Sequence, residues 1–95
     1  MTTTRVINLH NEPLPDDNGV YIGRWHPKYG QSKWRNRFKE GKDGTREEVI
    51  AKFREWLVNQ PQLMAQLPEL KGKTLGCWCK PDACHGDVLV EFVEK

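Results

Sequence analysis

The chain has 95 residues and a formal net charge of +2, with 37% hydrophobic and 29% charged residues. That length predicts one domain, residues 1–95, with a compact core. So small a net charge does not by itself argue for a nucleic-acid partner. No apolar run approaches the roughly 20 residues that span a bilayer, and MTTTRVINLH lacks a signal-peptide core. The expectation is a cytoplasmic protein with no membrane partner.

RVINL, Arg5 to Leu9, is a short run with β-branched residues and reads as a strand. HNEPLPDDNG, His10 to Gly19, carries two prolines and an Asn-Gly step and reads as a loop. VYIGR, Val20 to Arg24, is the second predicted strand. From Trp25 to Gly44 no period is visible. Long irregular segments in compact domains are often functional, and the aromatic residues here argue against disorder.

The best helix follows. Thr45 and Glu48 match a capping box. Val49, Ile50, Phe53, Trp56 and Leu57 then form one apolar face. Pro61 ends that helix or starts a shorter one, PQLMAQL, which Pro68 stops. Thr74 to Cys79 reads as a third strand. The C-terminal HGDVLVEFVEK fits helix or strand; a helix is favoured because Asp87 suits its positive N-terminal end. This order predicts a small layered α/β domain, with a short, mainly parallel sheet of about three strands and packed helices. Ligands of such sheets bind outside the carboxyl ends of the strands.

CWCKPDACHGD, Cys77 to Asp87, holds all three cysteines of the chain. An odd number, with two of them one residue apart, fits a disulfide framework poorly and reduced thiols better. Cys77, Cys79, Cys84 and His85 have the ligand types that zinc takes, which makes zinc the candidate cofactor. Their spacing is not that of a standard finger, and three ligands fit as well as four. A second reading is thiol chemistry. Cys84 stands just before the predicted last helix with Lys80 nearby, and His85 and Asp87 supply acid/base groups. The third is a buried structural turn. The balance leans narrowly to metal.

RWHPKYGQSKWRNRFK, Arg24 to Lys39, interleaves cations with Trp25, Tyr29, Trp34 and Phe38 and contains no acidic residue. Cations bind phosphates and aromatic rings stack on bases. The alternative is a solvated loop whose aromatics tuck into the core. Arg46 opposes the helix dipole at the first turn of its helix, which hints at a ligand, although Glu47 and Glu48 beside it supply ordinary ion pairs.

With VYIGR, the SKW-N-F pattern (Ser32, Lys33, Trp34, Asn36, Phe38), Arg46 and GK-L-CWCKP-CHGD (Gly72 to Asp87), the chain resembles a phage and bacterial family, domain of unknown function 4326. The resemblance covers most of the chain, and the last block is its most specific part. The family pattern has a Gly and a Pro where this chain has Arg35 and Arg37, so this loop is more basic. The resemblance implies a shared site around Arg24, Lys33, Asn36, Arg46 and the Cys/His block, in the host cytoplasm if phage-encoded; it implies no activity.

The functional expectation is a domain that binds a phosphate-bearing small molecule, a nucleotide or modified nucleobase, and that is an enzyme if the Cys/His block is reactive. Arg24, Lys33, Asn36, Arg46 and Lys80 are the candidate ligand-binding residues, and Trp34 is the candidate stacking residue. Cys84, His85 and Asp87 are the candidate catalytic residues. The competing expectations are a nucleic-acid-binding or host-interaction protein with a structural Cys/His block, and a protein-interaction module with an exposed Trp25 or Trp34.

Overall fold

The computed structural model describes residues 3–78 and 82–94. Its elements in chain order are β1 (Arg5–Asn8), β2 (Gly19–Tyr21), α1 (Arg46–Val58), α2 (Pro61–Gln66), a 3₁₀ turn (Leu67–Leu70), β3 (Thr74–Cys77) and α3 (His85–Glu94). The three strands form a parallel sheet in the order β1-β3-β2. This is the layered α/β fold that the pattern predicts.

β3 is the central strand. Arg5 lies opposite Thr74 in register on one side, and Gly19 lies opposite Thr74 on the other. All four residues of β3 are buried, as expected of a strand flanked on both edges and covered on both faces. Leu75 and Cys77 point to the helical layer and join a core of Ile22, Phe53, Leu57, Leu70, Leu89 and neighbouring apolar side chains. α3 packs on α1, on the 3₁₀ turn and on β1.

The β1–β2 connection packs on the opposite face. A Cβ placed on Gly76 would stand 2.8 Å from Leu14 Cδ1 and 3.0 Å from Leu9 Cδ2. Only a residue without a side chain lets this connection lie so close to the sheet.

α1 begins as expected. Glu48 N–H donates to Thr45 Oγ1 at 3.2 Å, and Thr45 N–H donates to Glu48 Oε1 at 2.8 Å. These bonds, from the Thr45 backbone first and its side chain second, hold the Glu48 carboxyl below the usual carboxylate range. Val49, Phe53 and Leu57 are the buried positions of α1, which is the predicted face.

The strand boundaries differ from the expectation: β1 ends at Asn8 rather than Leu9. β2 ends at Tyr21 rather than Arg24. Ile22 N–H still donates to Gly76 O at 3.0 Å, but Gly23 O then accepts from Ser32 N–H at 3.2 Å, so the loop competes for the backbone. β3 ends at Cys77; its predicted extension to Cys79 reaches outside the described residues. The segment after Arg24 is irregular, as predicted, with only an isolated bridge between His26 and Gly30.

The Gly76→Ala substitution is expected to lower stability by about 1–3 kcal/mol, the cost of overpacking a filled interior. Urea unfolding measures it. Adding Leu14→Ala, which removes the nearest obstructing methyl, is expected to make the double variant more stable than the two single losses sum to.

Candidate functional site

Parallel pairing brings the carboxyl ends of β2 and β3 side by side, and a cavity opens there. It has a volume of about 220 Å³ and is lined by Tyr21, Gly23, Arg24, Trp25, Asn36, Cys77, Trp78 and His85. A neighbouring cavity of about 100 Å³ shares Arg24, Asn36 and His85 and adds Glu40, Arg46, Ala83 and Cys84 among its walls. The basic loop and the Cys/His block therefore border one cleft.

Aromatic rings make one wall. Trp78 falls on the opposite face of the β3 line from Cys77. It stacks on His26 at 5.1 Å, and Tyr21 stacks on Tyr29 at 4.9 Å. Trp78 Nε1–H donates to the Tyr21 hydroxyl at 3.1 Å, and that hydroxyl donates to Arg24 O at 2.5 Å. These bonds tie the end of β3 to the turn after β2. Trp25 is 66% exposed at the rim.

The cations are partly engaged. Arg24 Nη2 donates to Phe38 O at 2.8 Å, which pins the loop while the side chain remains exposed. Arg46 Nη1 donates to Ala83 O at 3.1 Å, and its Nη2 lies 3.4 Å from Glu40 and 4.0 Å from Asp82. Exposed pairs of this kind contribute at most about 1 kcal/mol each, so an anion can compete for the guanidinium. Asn36 is buried; its Nδ2 donates to Val49 O at 3.2 Å, and its Oδ1 accepts from Phe38 N–H at 3.0 Å. It positions the loop against α1.

The Cys/His block builds the floor. Cys77 and Cys84 are 2% and 1% exposed, with sulfurs 3.0 Å apart. Cys84 takes the capping position of α3: Gly86 N–H donates to Cys84 Sγ at 3.4 Å, and Cys84 N–H donates to Asp87 Oδ2 at 3.1 Å. Cys84 Sγ lies 3.7 Å from His85 Nδ1, so these sequence neighbours do approach each other. His85 Nε2 lies 2.8 Å from Ile22 O. A carbonyl oxygen only accepts, so Nε2 is the donor in that contact.

The candidate residues divide as follows. Arg24, Asn36, Arg46, Cys77, Cys84 and His85 border the cleft. Asp87 instead holds the backbone at the start of α3. Lys33 faces α2, pairing with Glu69 at 2.8 Å and hydrogen-bonding Gln66. Trp34, expected to stack on a ligand, is 2% exposed and belongs to the core; the hydrophobic cost of exposing so large a ring outweighs its place in a polar segment.

Cys79 and Lys80 lie outside the described residues. Among the described residues no group of three or more His, Cys, Asp and Glu is arranged to hold a metal ion, and the four-ligand set includes Cys79. Sequence reasoning did not single out Tyr21, Trp78 or Glu40. The signal for Trp78 was its place between two cysteines at a strand end.

The extra cations of the loop make contacts with the chain itself. Arg37 stacks on Trp56 with its Cζ 4.1 Å from the ring centre, and Arg35 Nη1 donates to Ser32 O at 3.0 Å. Burial, and then the charge of Arg35, hold the Arg37 guanidinium below its usual value.

Fold and site together define a small parallel α/β domain with a cleft at its strand ends. The model of the family described as domain of unknown function (DUF4326) matches residues 7–95, and the chain belongs to that family. An uncharacterized protein of Acanthamoeba polyphaga mimivirus is 38% identical over 98 residues, covering 90% of this chain and 75% of the mimivirus protein. An uncharacterized 12.4 kDa protein from the nrdA-td intergenic region of Enterobacteria phage T4 is 38% identical over 60 residues, covering 58% of this chain and 56% of that protein. No solved structure matches the chain significantly. Among the described residues no helix is long and apolar enough to cross a membrane.

Replacing Asn36 with Ala removes both of its hydrogen bonds from a buried position. The expected loss is about 1–3 kcal/mol, read by thermal or urea unfolding, with the loop from Arg24 to Phe38 gaining amide exchange before α1 does.

Proposed function

We propose that this domain binds a phosphate-bearing ligand with an aromatic base, a nucleotide or modified nucleobase, in the cleft at the ends of β2 and β3. The observation that carries this reading is the larger cavity, whose wall joins the exposed Arg24 guanidinium to the rings of Tyr21, Trp25 and Trp78. A guanidinium suits a phosphate through paired N–H donors. The aromatic wall suits a base, since every base offers a π-face. Arg46, across the neighbouring cavity, is a second phosphate contact that a ligand gains by displacing Glu40 or Asp82. The position also fits the general rule for open parallel sheets. The setting is the cytoplasm of the host cell when the chain is phage-encoded.

A polymeric nucleic acid is the poorer fit. The cations that make this loop more basic, Arg35 and Arg37, are spent on the chain's own carbonyls and on Trp56.

Isothermal titration with a panel of nucleoside 5′-monophosphates, and with inorganic phosphate as control, tests the reading. At least one nucleotide is expected to bind, with phosphate alone much weaker. Arg24→Ala is expected to weaken it by tenfold or more, the worth of roughly one charge-assisted hydrogen bond. Silence across the panel, or an affinity indifferent to Arg24→Ala, would refute it. So would tight, salt-sensitive oligonucleotide binding that Arg35→Glu and Arg37→Glu abolish.

A further inference from the structure

The cleft at the strand ends has two compartments, and their chemistry differs. Resting on the binding reading above, we infer that the site selects a nucleotide with a single phosphate group, a nucleoside 5′-monophosphate, and that Glu40 turns away the di- and triphosphates.

The compartments meet at Arg24. The larger, of about 220 Å³, has the rings of Tyr21, Trp25 and Trp78 in its wall together with Arg24. The smaller, of about 100 Å³, has Arg24 and Arg46 as its cations and Glu40 as its carboxylate. A base suits the first compartment through its π-face. The phosphate of the same ligand then passes Arg24 into the second, where Arg46 faces it.

Size limits what the second compartment takes. A water molecule has a share of about 30 Å³ in the liquid, so about 100 Å³ matches the space of a few waters. One phosphoryl group with its terminal oxygens fits that space; a chain of two does not.

Charge sets the same limit. A phosphate monoester carries about −1.5 to −2 at pH 7, which two guanidinium groups balance. Among the described residues, no other Lys or Arg lines either compartment to meet a further phosphate. Glu40 Oε1 lies 3.4 Å from Arg46 Nη2, and its side chain is the more exposed of the two. A longer phosphate chain leaving the compartment therefore runs beside this carboxylate, and like charges set side by side exclude a partner.

The helix starts do not offset that repulsion. Open parallel sheets commonly hold a pyrophosphate on the backbone amides of a helix start. Here the chain's own carboxylates stand there. Thr45 N–H donates to Glu48 Oε1 at 2.8 Å at the start of α1, and Cys84 N–H donates to Asp87 Oδ2 at 3.1 Å at the start of α3. Both starts border the smaller compartment, through Arg46 and His85. The two arginines thus decide how much negative charge the site accepts.

Isothermal titration of the full chain in magnesium-free buffer tests the inference, with the 5′-mono-, di- and triphosphates of adenosine, guanosine, cytidine and thymidine as probes. For the base that binds best, the monophosphate is expected to bind about tenfold or more tightly than the di- and triphosphate, a modest worth for like-charge exclusion. Glu40→Gln keeps the shape and removes the charge at an exposed position. It is expected to stay folded by circular dichroism and to tighten the di- and triphosphates by about fivefold, since an exposed charge is partly screened. Arg46→Gln is expected to weaken the monophosphate by about tenfold, one charge-assisted hydrogen bond, and to leave the unphosphorylated nucleoside unaffected. Di- or triphosphates that bind as tightly as the monophosphate overturn the inference and leave nucleotide binding standing. So does a preference unmoved by Glu40→Gln, or a monophosphate affinity indifferent to Arg46→Gln. Silence from every nucleotide overturns the binding reading itself, and the inference with it.

Discussion

A single buried hydrogen bond, from His85 Nε2 to Ile22 O, sets the geometry of the whole cleft. Ile22 is the residue just past β2, and His85 is the first of α3. Their bond fastens the last helix to the turn that leaves the sheet. The carbonyl is 63 residues away along the chain, so the contact can form only when the layers are assembled. It orients the imidazole, and with it the direction in which Nδ1 faces Cys84. Phe53 of α1 meets the same ring edge-on at 5.0 Å, so the histidine is held by packing as well as by its bond.

Around that point the charges play mostly local parts. Arg54 and Glu91 pair with both guanidinium nitrogens, joining α1 to α3, and the Glu91 contact holds the Arg54 guanidinium above its usual value. Both side chains are 42% exposed, so the pair orients two helices more than it stabilises them. Arg24 and Arg46 differ from the remaining cations because they adjoin the cleft at the strand ends.

Much of this architecture was legible in the sequence because local and global preferences agree in it. The Thr45 and Glu48 cap, the apolar face of α1, the proline at the start of α2 and the strand-like runs each point to the element that forms. The general place of the cleft followed from the parallel sheet. The finer assignments depended on facts that spacing does not contain. Trp34 and Trp25 both stand in a basic segment without a period, yet one is core and the other rim. Only the turn set by Asn36 and Ser32 decides between them. Lys33 follows Trp34 away from the cleft for the same reason. Cys84 and His85 meet because Cys84 caps a helix, which puts its side chain in a conformation that adjacency alone does not imply.

The strand order β1-β3-β2 also dictates how the molecule comes together. β1 and β2 are near neighbours in sequence but never touch through backbone hydrogen bonds within the sheet; each waits for β3. A chain emerging from the ribosome can form α1, whose contacts are local, long before Thr74 arrives to pair with Arg5. Ordering the sheet therefore requires closing most of the chain into one loop, from Arg5 to Thr74, an entropic demand that slows folding relative to a helical protein of equal size. Until that moment two apolar strands lie unpaired, and the nascent chain is at its most vulnerable to association with its own copies.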